Sequence, residues 1–99
     1  MADKSENDSG DEGLAASFGQ CVMLHREAAG ISTAKLASMA GMSRAYLWRI
    51  EHGQVLPSLR NVARISIALG VPVSRLLESL DTSTVGLSNR PYDKDGEDT

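Results

Sequence analysis

Hydrophobic residues in the middle of this chain recur three and four positions apart, which is the spacing of a buried α-helical face. The pattern predicts five short helices separated by serine, glycine and proline residues. No stretch alternates between apolar and polar residues for long enough to form a strand. The sequence therefore predicts an all-α fold, with helices at about residues 15–29, 33–40, 44–52, 59–69 and 72–80.

Capping residues support these boundaries. Three serines stand one position ahead of a predicted helix, where a hydroxyl can accept a bond from a free N–H of the first turn: Ser32, Ser43 and Ser58. Three glycines follow a predicted helix, where the left-handed residue that closes a helix is easiest for glycine: Gly30, Gly41 and Gly70. Pro72 opens the fifth helix, at a position where the missing N–H has no helical partner to lose.

The apolar positions predict the core. Helix one presents Phe18 and Val22, and the inward positions of helix four are Leu59, Val62, Ile65 and Leu69. The apolar residues of helix five are Val73, Leu76, Leu77 and Leu80. They offer more apolar surface than one face of so short a helix needs. We therefore expect part of helix five to pair with a second copy across a two-fold axis.

The second and third helices form the most informative pair. Both are short, and a tight turn at Gly41 joins them. Ala37 is small at the point where two helices crossing near a right angle would otherwise collide. Two helices joined in this way form a helix-turn-helix, whose second helix can enter the major groove of DNA.

The third helix has two faces of different composition. On a helical wheel, the core-facing arc of about 100° holds Ser43, Tyr46, Leu47 and Ile50. The opposite arc of about 140° holds Arg44, Ala45, Trp48, Arg49 and His52. That arc contains no acid, although Glu51 lies at its edge. Such a composition suits a surface that meets an anion with stacked bases behind it.

Charge is unevenly distributed along the chain, whose formal net charge is −3. Residues 14–80 carry seven basic and three acidic residues, a net charge of +4, whereas residues 1–13 carry −4 and residues 81–99 carry −3. We therefore predict a DNA-binding domain at 14–80 between two disordered acidic tails, at 1–13 and 81–99. The tails are either passive and solvated, or they bind a protein partner or mimic DNA.

Length and composition exclude several classes of protein. The predicted domain is near the lower size limit for a self-sufficient core, which favours dimerisation. The single cysteine excludes an intramolecular disulfide and suits a reducing cytoplasm. No apolar run approaches the roughly 18 residues of a membrane span, so we expect no membrane partner.

The residues also argue against an enzyme or a metal site. The two histidines, His25 and His52, lie on different helices, and neither is paired with an acid and a nucleophile. Cys21 and His25 could supply two metal ligands from one helix face, but a structural zinc needs four. We expect this pair to fill the boundary of the core, and we expect no cofactor.

The motifs resemble those of the Cro/CI-type repressor domain, also called the XRE family, of bacterial and phage regulators. The resemblance covers about residues 17–78. The matching positions are Arg26, Gly30, Ser32, Leu36-Ala37, Gly41, Ser43, Tyr46-Leu47, Ile50-Glu51, Gly53, Pro57-Ser58, Leu69-Gly70-Val71 and Leu76-Leu77. The resemblance implies a five-helix, lambda-repressor-like domain that binds double-stranded DNA.

The resemblance also implies roles for single residues. The positions that reach base edges are Arg44, Ala45 and Arg49. The positions that hold phosphates are Ser43, Tyr46 and His52, with Thr33 as an addition from helix two. Arginine can bind guanine O6 and N7 together, and alanine can contact a thymine methyl. In the family, the positions of Arg26 and Glu51 form a partly buried ion pair.

Four of these positions need comment. Thr33 stands where the family usually has a glutamine, whose longer arm reaches a phosphate. His52 replaces the commoner arginine or asparagine, so its phosphate contact is expected to be weaker at neutral pH. Tyr46 either packs in the core or contacts a phosphate. Trp48 either packs against residues 53–58 or contacts the groove or a sugar.

The sequence thus predicts a sequence-specific DNA-binding transcription regulator in a bacterial or phage cytoplasm, associated with the nucleoid. It would bind a two-fold operator as a homodimer, through residues 44–52. Repression is favoured over activation, because a bare domain most simply acts by occupying a promoter. The alternative is an adaptor or antitoxin that binds a protein through the same fold and its acidic tails.

Overall fold

Five helices make up the part of the chain that the computed structural model describes, residues 10–87. They are α1 (Asp11–Ala28), α2 (Thr33–Ala40), α3 (Arg44–Glu51), α4 (Leu59–Leu69) and α5 (Val73–Leu77). Residues 10–87 contain no strand, and the all-α prediction is confirmed.

The three predicted serine caps are present. The hydroxyl groups of Ser32, Ser43 and Ser58 accept hydrogen bonds from the N–H groups three residues ahead, at 3.0, 3.0 and 3.1 Å. Gly41 ends α2 with φ 72°, the left-handed conformation that the turn requires. These local signals fix the starts of α2, α3 and α4 without help from the rest of the chain.

Helices α1 and α5 differ in length from the prediction. Helix α1 begins at Asp11, four residues before the expected start at Ala15. Its first turn carries Asp11 and Glu12, whose negative charges are favourable at a helix N-terminus but add no apolar periodicity. Helix α5 ends at Leu77 rather than near Leu80. One further turn follows it, in which the Leu80 N–H donates a hydrogen bond to the Leu77 carbonyl.

The segment after α5 supplies a cap that α1 lacks in its own sequence. The Thr84 hydroxyl accepts a hydrogen bond from the Gly13 N–H at 3.2 Å and donates one to the Gly10 carbonyl at 3.0 Å. The Asp81 N–H donates to the Ser17 hydroxyl at 2.9 Å. Gly10 has φ 121°, and a Cβ there would lie 2.5 Å from the Thr84 carbonyl oxygen. We name this contact between the start of α1 and residues 81–84 the terminal clasp.

The terminal clasp differs from the predicted domain boundaries at residues 14 and 80. Residues 10–13 and 81–84 pack together in the structure, so this part of the predicted tails belongs to the folded unit. The remaining tail predictions, at residues 1–9 and 88–99, lie outside the described residues.

The core lies where the five helices meet. The largest fully buried side chains are Val22, Leu36, Leu47, Ile50, Ile65 and Leu76. Most of the predicted inward positions are confirmed, with Phe18 and Val62 also buried and Leu69 packed against the core. The prediction for Leu59 is wrong, since this side chain is 73% exposed. It occupies the first position of α4, directly after the Ser58 cap.

No helix among the described residues is long and apolar enough to cross a membrane.

Candidate nucleic-acid interface

Helices α2 and α3 form the predicted helix-turn-helix. The Met42 N–H donates to the Ala37 carbonyl at 3.0 Å, which closes the turn around Gly41. Ala37 is 2% exposed and belongs to the core cluster at the junction of the helices. The small side chain is therefore buried as the sequence predicts, and the turn brings α3 to the surface of the domain.

Helix α3 divides into the two faces that the helical wheel predicts. Leu47 and Ile50 are fully buried, and Tyr46 packs half-buried against the core. The exposed side chains of α3 and its C-cap are Arg44, Ala45, Trp48, Arg49 and His52, and the N-cap Ser43, at the edge of the core-facing arc, is exposed as well. We call the first five of these residues the exposed face of α3. It carries two arginines and no acid.

Glu51 is not part of the exposed face of α3, because it is buried in an ion pair with Arg26 of α1. Arg26 Nε lies 2.7 Å from Glu51 Oε2, and Nη2 lies 3.2 Å from Oε1. The third donor, Nη1, bonds the Ile31 carbonyl at 2.9 Å. The Glu51 side chain is 1% exposed and that of Arg26 is 14% exposed. The predicted ion pair is confirmed, and it removes the only acid of α3 from the surface.

Thr33 has a structural partner that the sequence did not predict. Its hydroxyl donates to Glu51 Oε1 at 3.3 Å, so the proton that a phosphate contact needs is already used. Thr33 is half-buried at the first position of α2. In this arrangement Thr33 helps to fix the Glu51 carboxylate, and a phosphate contact at Thr33 would have to replace that bond.

Tyr46 packs in the core, which is one of the two alternatives that the sequence left open, and its phosphate contact stays a prediction. Its ring packs against the core, while its hydroxyl accepts a hydrogen bond from Asn61 Nδ2 at 3.2 Å. Asn61 Oδ1 in turn accepts one from Arg64 Nη1 at 3.2 Å. The phenolic proton is not used in either bond. The sequence did not predict this chain of contacts, which links Arg64 of α4 to Tyr46 of α3 through Asn61.

Trp48 stacks on His52, one helical turn further along α3. The ring centroids are 3.8 Å apart and the ring planes are inclined by 19°. The His52 Nδ1 lies 2.8 Å from the Trp48 carbonyl oxygen. Trp48 is 41% exposed, so the stack covers one side of the indole and leaves the rest open. The sequence offered the 53–58 loop or the DNA as partners and missed His52.

Gly19 allows α1 to cross very close to the end of α3. A Cβ at Gly19 would collide with the Ile50 carbonyl oxygen and would lie 2.7 Å from the Glu51 carbonyl oxygen. Gly19 is buried and lies within the helical part of α1, where glycine is unfavourable for the helix itself. Glycine at this position therefore lets α1 lie closer to the end of α3 than a residue with a Cβ would allow.

Cys21 and His25 do not assemble a metal site. Among residues 10–87, no group of three or more His, Cys, Asp or Glu side chains is placed to hold a metal ion. The Cys21 thiol lies 3.8 Å from the Arg75 carbonyl. Burial raises the pKa of the Cys21 thiol, and the charge of Glu78 raises it further. Both effects favour the protonated thiol, which is a poor metal ligand.

Comparisons with known proteins agree with this geometry. A protein-family model described as a helix-turn-helix domain matches residues 17–78. No curated protein sequence matches the chain.

Three solved structures are similar to the chain. The restriction-modification controller protein C.AhdI from Aeromonas hydrophila is 34% identical, with a TM-score of 0.62 over 63% of this chain and 94% of the controller. The clp gene regulator ClgR from C. glutamicum is 28% identical, with a TM-score of 0.64 over 66% of this chain and 84% of ClgR. The hypothetical transcription factor NHTF from Neisseria is 30% identical, with a TM-score of 0.63 over 68% of this chain and 77% of NHTF.

Proposed function

The chain belongs to the helix-turn-helix family of Cro/CI-type regulators and is a DNA-binding transcription regulator, and from this membership we propose that it is a sequence-specific repressor. It binds a two-fold operator as a homodimer and reads the operator with the exposed face of α3. The observation that carries the proposal is the composition of that face. All five of its side chains are exposed, and the neighbouring acid, Glu51, is buried in an ion pair with Arg26.

Base reading is assigned to Arg44, Ala45 and Arg49. The two arginines are five positions apart, which corresponds to about 7.5 Å along the helix axis. Stacked base pairs are about 3.4 Å apart, so the arginines can reach base pairs about two steps from each other. Each can bind guanine O6 and N7 in the major groove, and Ala45 can contact a thymine methyl between them.

Phosphate contacts are assigned to residues at the two ends of α3. Ser43 is exposed, and its hydroxyl proton is not used when its oxygen caps the helix. The Tyr46 hydroxyl also keeps its proton available. Arg64 is tied to Tyr46 through Asn61 and adds a positive charge next to this contact. His52 contacts a phosphate at the other end of the helix. Thr33 can contact a phosphate only if its hydroxyl gives up its hydrogen bond to Glu51.

Pairing of two copies is assigned to an apolar groove of about 270 Å³ between α1, α4, α5 and the loop before α4. It is lined by Leu14, Phe18, Leu56, Pro57, Leu59, Val62, Leu77 and Leu80. All eight are apolar, and Leu59 and Leu56 are 73% and 42% exposed. We call this feature the pairing groove.

A second copy of the chain is the occupant that best fits the pairing groove. Helix α5 packs on α1 and α4, so contact through this groove leaves the exposed face of α3 free for DNA. The part of helix five proposed to pair is Leu77 together with Leu80, which line the groove, whereas Leu76 is fully buried and Val73 does not line it. A two-fold pair would set the recognition helices about 34 Å apart, one turn of DNA.

Repression is proposed because occupying a promoter requires nothing beyond DNA contacts of the kind assigned to α3. The similarity to a restriction-modification controller and to a gene regulator supports a role in gene control. The experiment is binding selection from random double-stranded DNA, with enrichment of a two-fold motif as the expected result. If no motif is enriched, the alternative of a protein-binding adaptor or antitoxin is favoured.

A further inference from the structure

His52 lies at the C-terminal end of α3, and two contacts hold its ring. Nδ1 lies 2.8 Å from the Trp48 carbonyl oxygen, and the ring stacks on the indole of the same residue. A carbonyl oxygen can only accept a hydrogen bond, so Nδ1 must carry a hydrogen. Nε2 is therefore the free nitrogen, and among the described residues no hydrogen bond occupies it. His52 is exposed, so Nε2 is open to solvent or to a ligand.

The fixed tautomer determines what Nε2 can bind. In the neutral ring Nε2 is only an acceptor, and a phosphate oxygen is an acceptor as well. The imidazolium carries a second hydrogen on Nε2 and can donate it to a phosphate. We propose that His52 contacts a DNA phosphate only as the imidazolium, so that DNA binding takes up a proton here and tightens as pH falls. This inference rests on the proposed DNA-binding function and names a regulation of the same site.

The stack on Trp48 fixes the position of the His52 ring. The ring lies against the indole at a centroid distance of 3.8 Å, at the C-cap of α3. Nε2 is therefore held at one place at the edge of the exposed face of α3.

Among the ionisable groups around α3, His25 is the one that could take up another proton in this pH range. His52 shares a surface groove with Ala16, Gln20 and Met23 of α1 and with Glu51, whose carboxylate is held by Arg26. The charged and titratable groups on the elements packed around α3 are Asp11, Glu12, Cys21, His25, Arg26 and Glu27 on α1, Lys35 on α2, Arg60 and Arg64 on α4, and Arg44, Tyr46, Arg49 and Glu51 on α3 itself. His25 is the one other histidine among them, which makes it the natural control.

The first test measures DNA affinity against pH. A fluorescent duplex of about 30 base pairs with mixed sequence is titrated with the protein between about pH 6 and pH 8 at constant ionic strength. We expect the DNA affinity of wild type to rise about fivefold between pH 8 and pH 6. This rise is counted beyond any rise in affinity that His52→Gln shows over the same range. The glutamine amide donates at every pH, so its contact does not titrate. His25→Gln should keep the wild-type pH dependence, and circular dichroism checks that both variants are folded.

The second test counts protons directly. Calorimetric titration of the same duplex at one pH near 7, in two buffers with different heats of ionisation, reports the protons taken up on binding. Wild type and His25→Gln should show uptake that His52→Gln lacks. Equal uptake in wild type and His52→Gln, or equal pH dependence of their affinities, would overturn the inference and leave the DNA-binding proposal standing. Absence of binding by wild type at every pH would overturn both.

Discussion

Arg26 and Glu51 join the first helix to the recognition helix through two hydrogen bonds, from Nε to Oε2 at 2.7 Å and from Nη2 to Oε1 at 3.2 Å. The pair does two things at once. It fixes the end of α3 against α1, and it removes a negative charge from the surface that is proposed to approach phosphate. The stability of the fold and the electrostatics of the interface therefore depend on the same contact.

We predict that Glu51→Gln destabilises the domain. Glutamine keeps the shape of the side chain but leaves the largely buried guanidinium of Arg26 without its counter-charge, at a cost of up to about 3 kcal/mol. Thermal unfolding followed by circular dichroism measures the effect. Glu27→Gln is the matched control, since Glu27 is an exposed acid on the same helix as Arg26. Equal midpoints for the two variants would contradict this account of the pair.

Gly19→Ala tests the close crossing of α1 and α3. Alanine would favour the helix by about 1 kcal/mol, but its Cβ would collide with the Ile50 carbonyl, and such overpacking costs about 1–3 kcal/mol or more. We expect a net loss of stability and weaker DNA binding, because α3 must shift outward. Chemical denaturation provides the measurement. Gly86→Ala is the control, since nothing lies within 4 Å of a Cβ there. A Gly19→Ala variant more stable than wild type would rule out the crossing.

The pairing groove predicts that Leu59→Lys separates the dimer. Leu59 lines the groove, whereas Ile67 lies on the same helix, is 79% exposed and does not line it. Removing the burial of one leucine from each copy should weaken association by about 3 kcal/mol or more, about a hundredfold. In sedimentation at tens of micromolar, wild type and Ile67→Lys should be dimers and Leu59→Lys a monomer. A monomeric wild type, or identical behaviour of both variants, would refute the groove as the interface.

Deleting residues 1–9 and 88–99 tests the acidic tails. Both cuts spare the terminal clasp, and together they remove a net charge of −4. If the tails compete with phosphate for the basic surface, the shortened chain should bind DNA of mixed sequence more tightly and with a steeper dependence on salt. A full-length chain with the tail acids replaced by amides should behave in the same way. Equal affinity of all three proteins would make the tails passive.

The sequence predicted those elements whose signals are local. Ser32, Gly41 and Ser43 lie within a few residues of the helix ends that they determine, and the ends of α2 and α3 agree closely with prediction. The start of α1 depends instead on Thr84, which is 71 residues away from Gly13. A capping contact at that separation leaves no pattern in either segment alone, so the first turn of α1 was assigned to a tail.

The candidate site shows the same difference between local signals and contacts between distant residues. A helical wheel separates exposed from buried positions, and it predicted the exposed face of α3 correctly because an eight-residue helix is nearly straight. It cannot say which polar atoms meet, so the bonds of Thr33 to Glu51 and of Tyr46 to Asn61 were not predicted. The prediction for Leu59 was wrong for a related reason. Periodicity gives the direction of a side chain, but it does not show whether another element covers that side chain.

The most direct test of the central claim is binding selection from random DNA with wild type, Arg44→Ala and Arg49→Ala. Tyr46→Phe serves as a control for a phosphate contact, whose loss should weaken binding evenly across sequences. We expect wild type to enrich half-sites that contain guanine. At least one alanine variant should lose the preference at a defined base pair and bind the wild-type site about 1–3 kcal/mol more weakly. If both variants enrich the wild-type motif with unchanged base preferences, the exposed face of α3 does not read DNA as proposed.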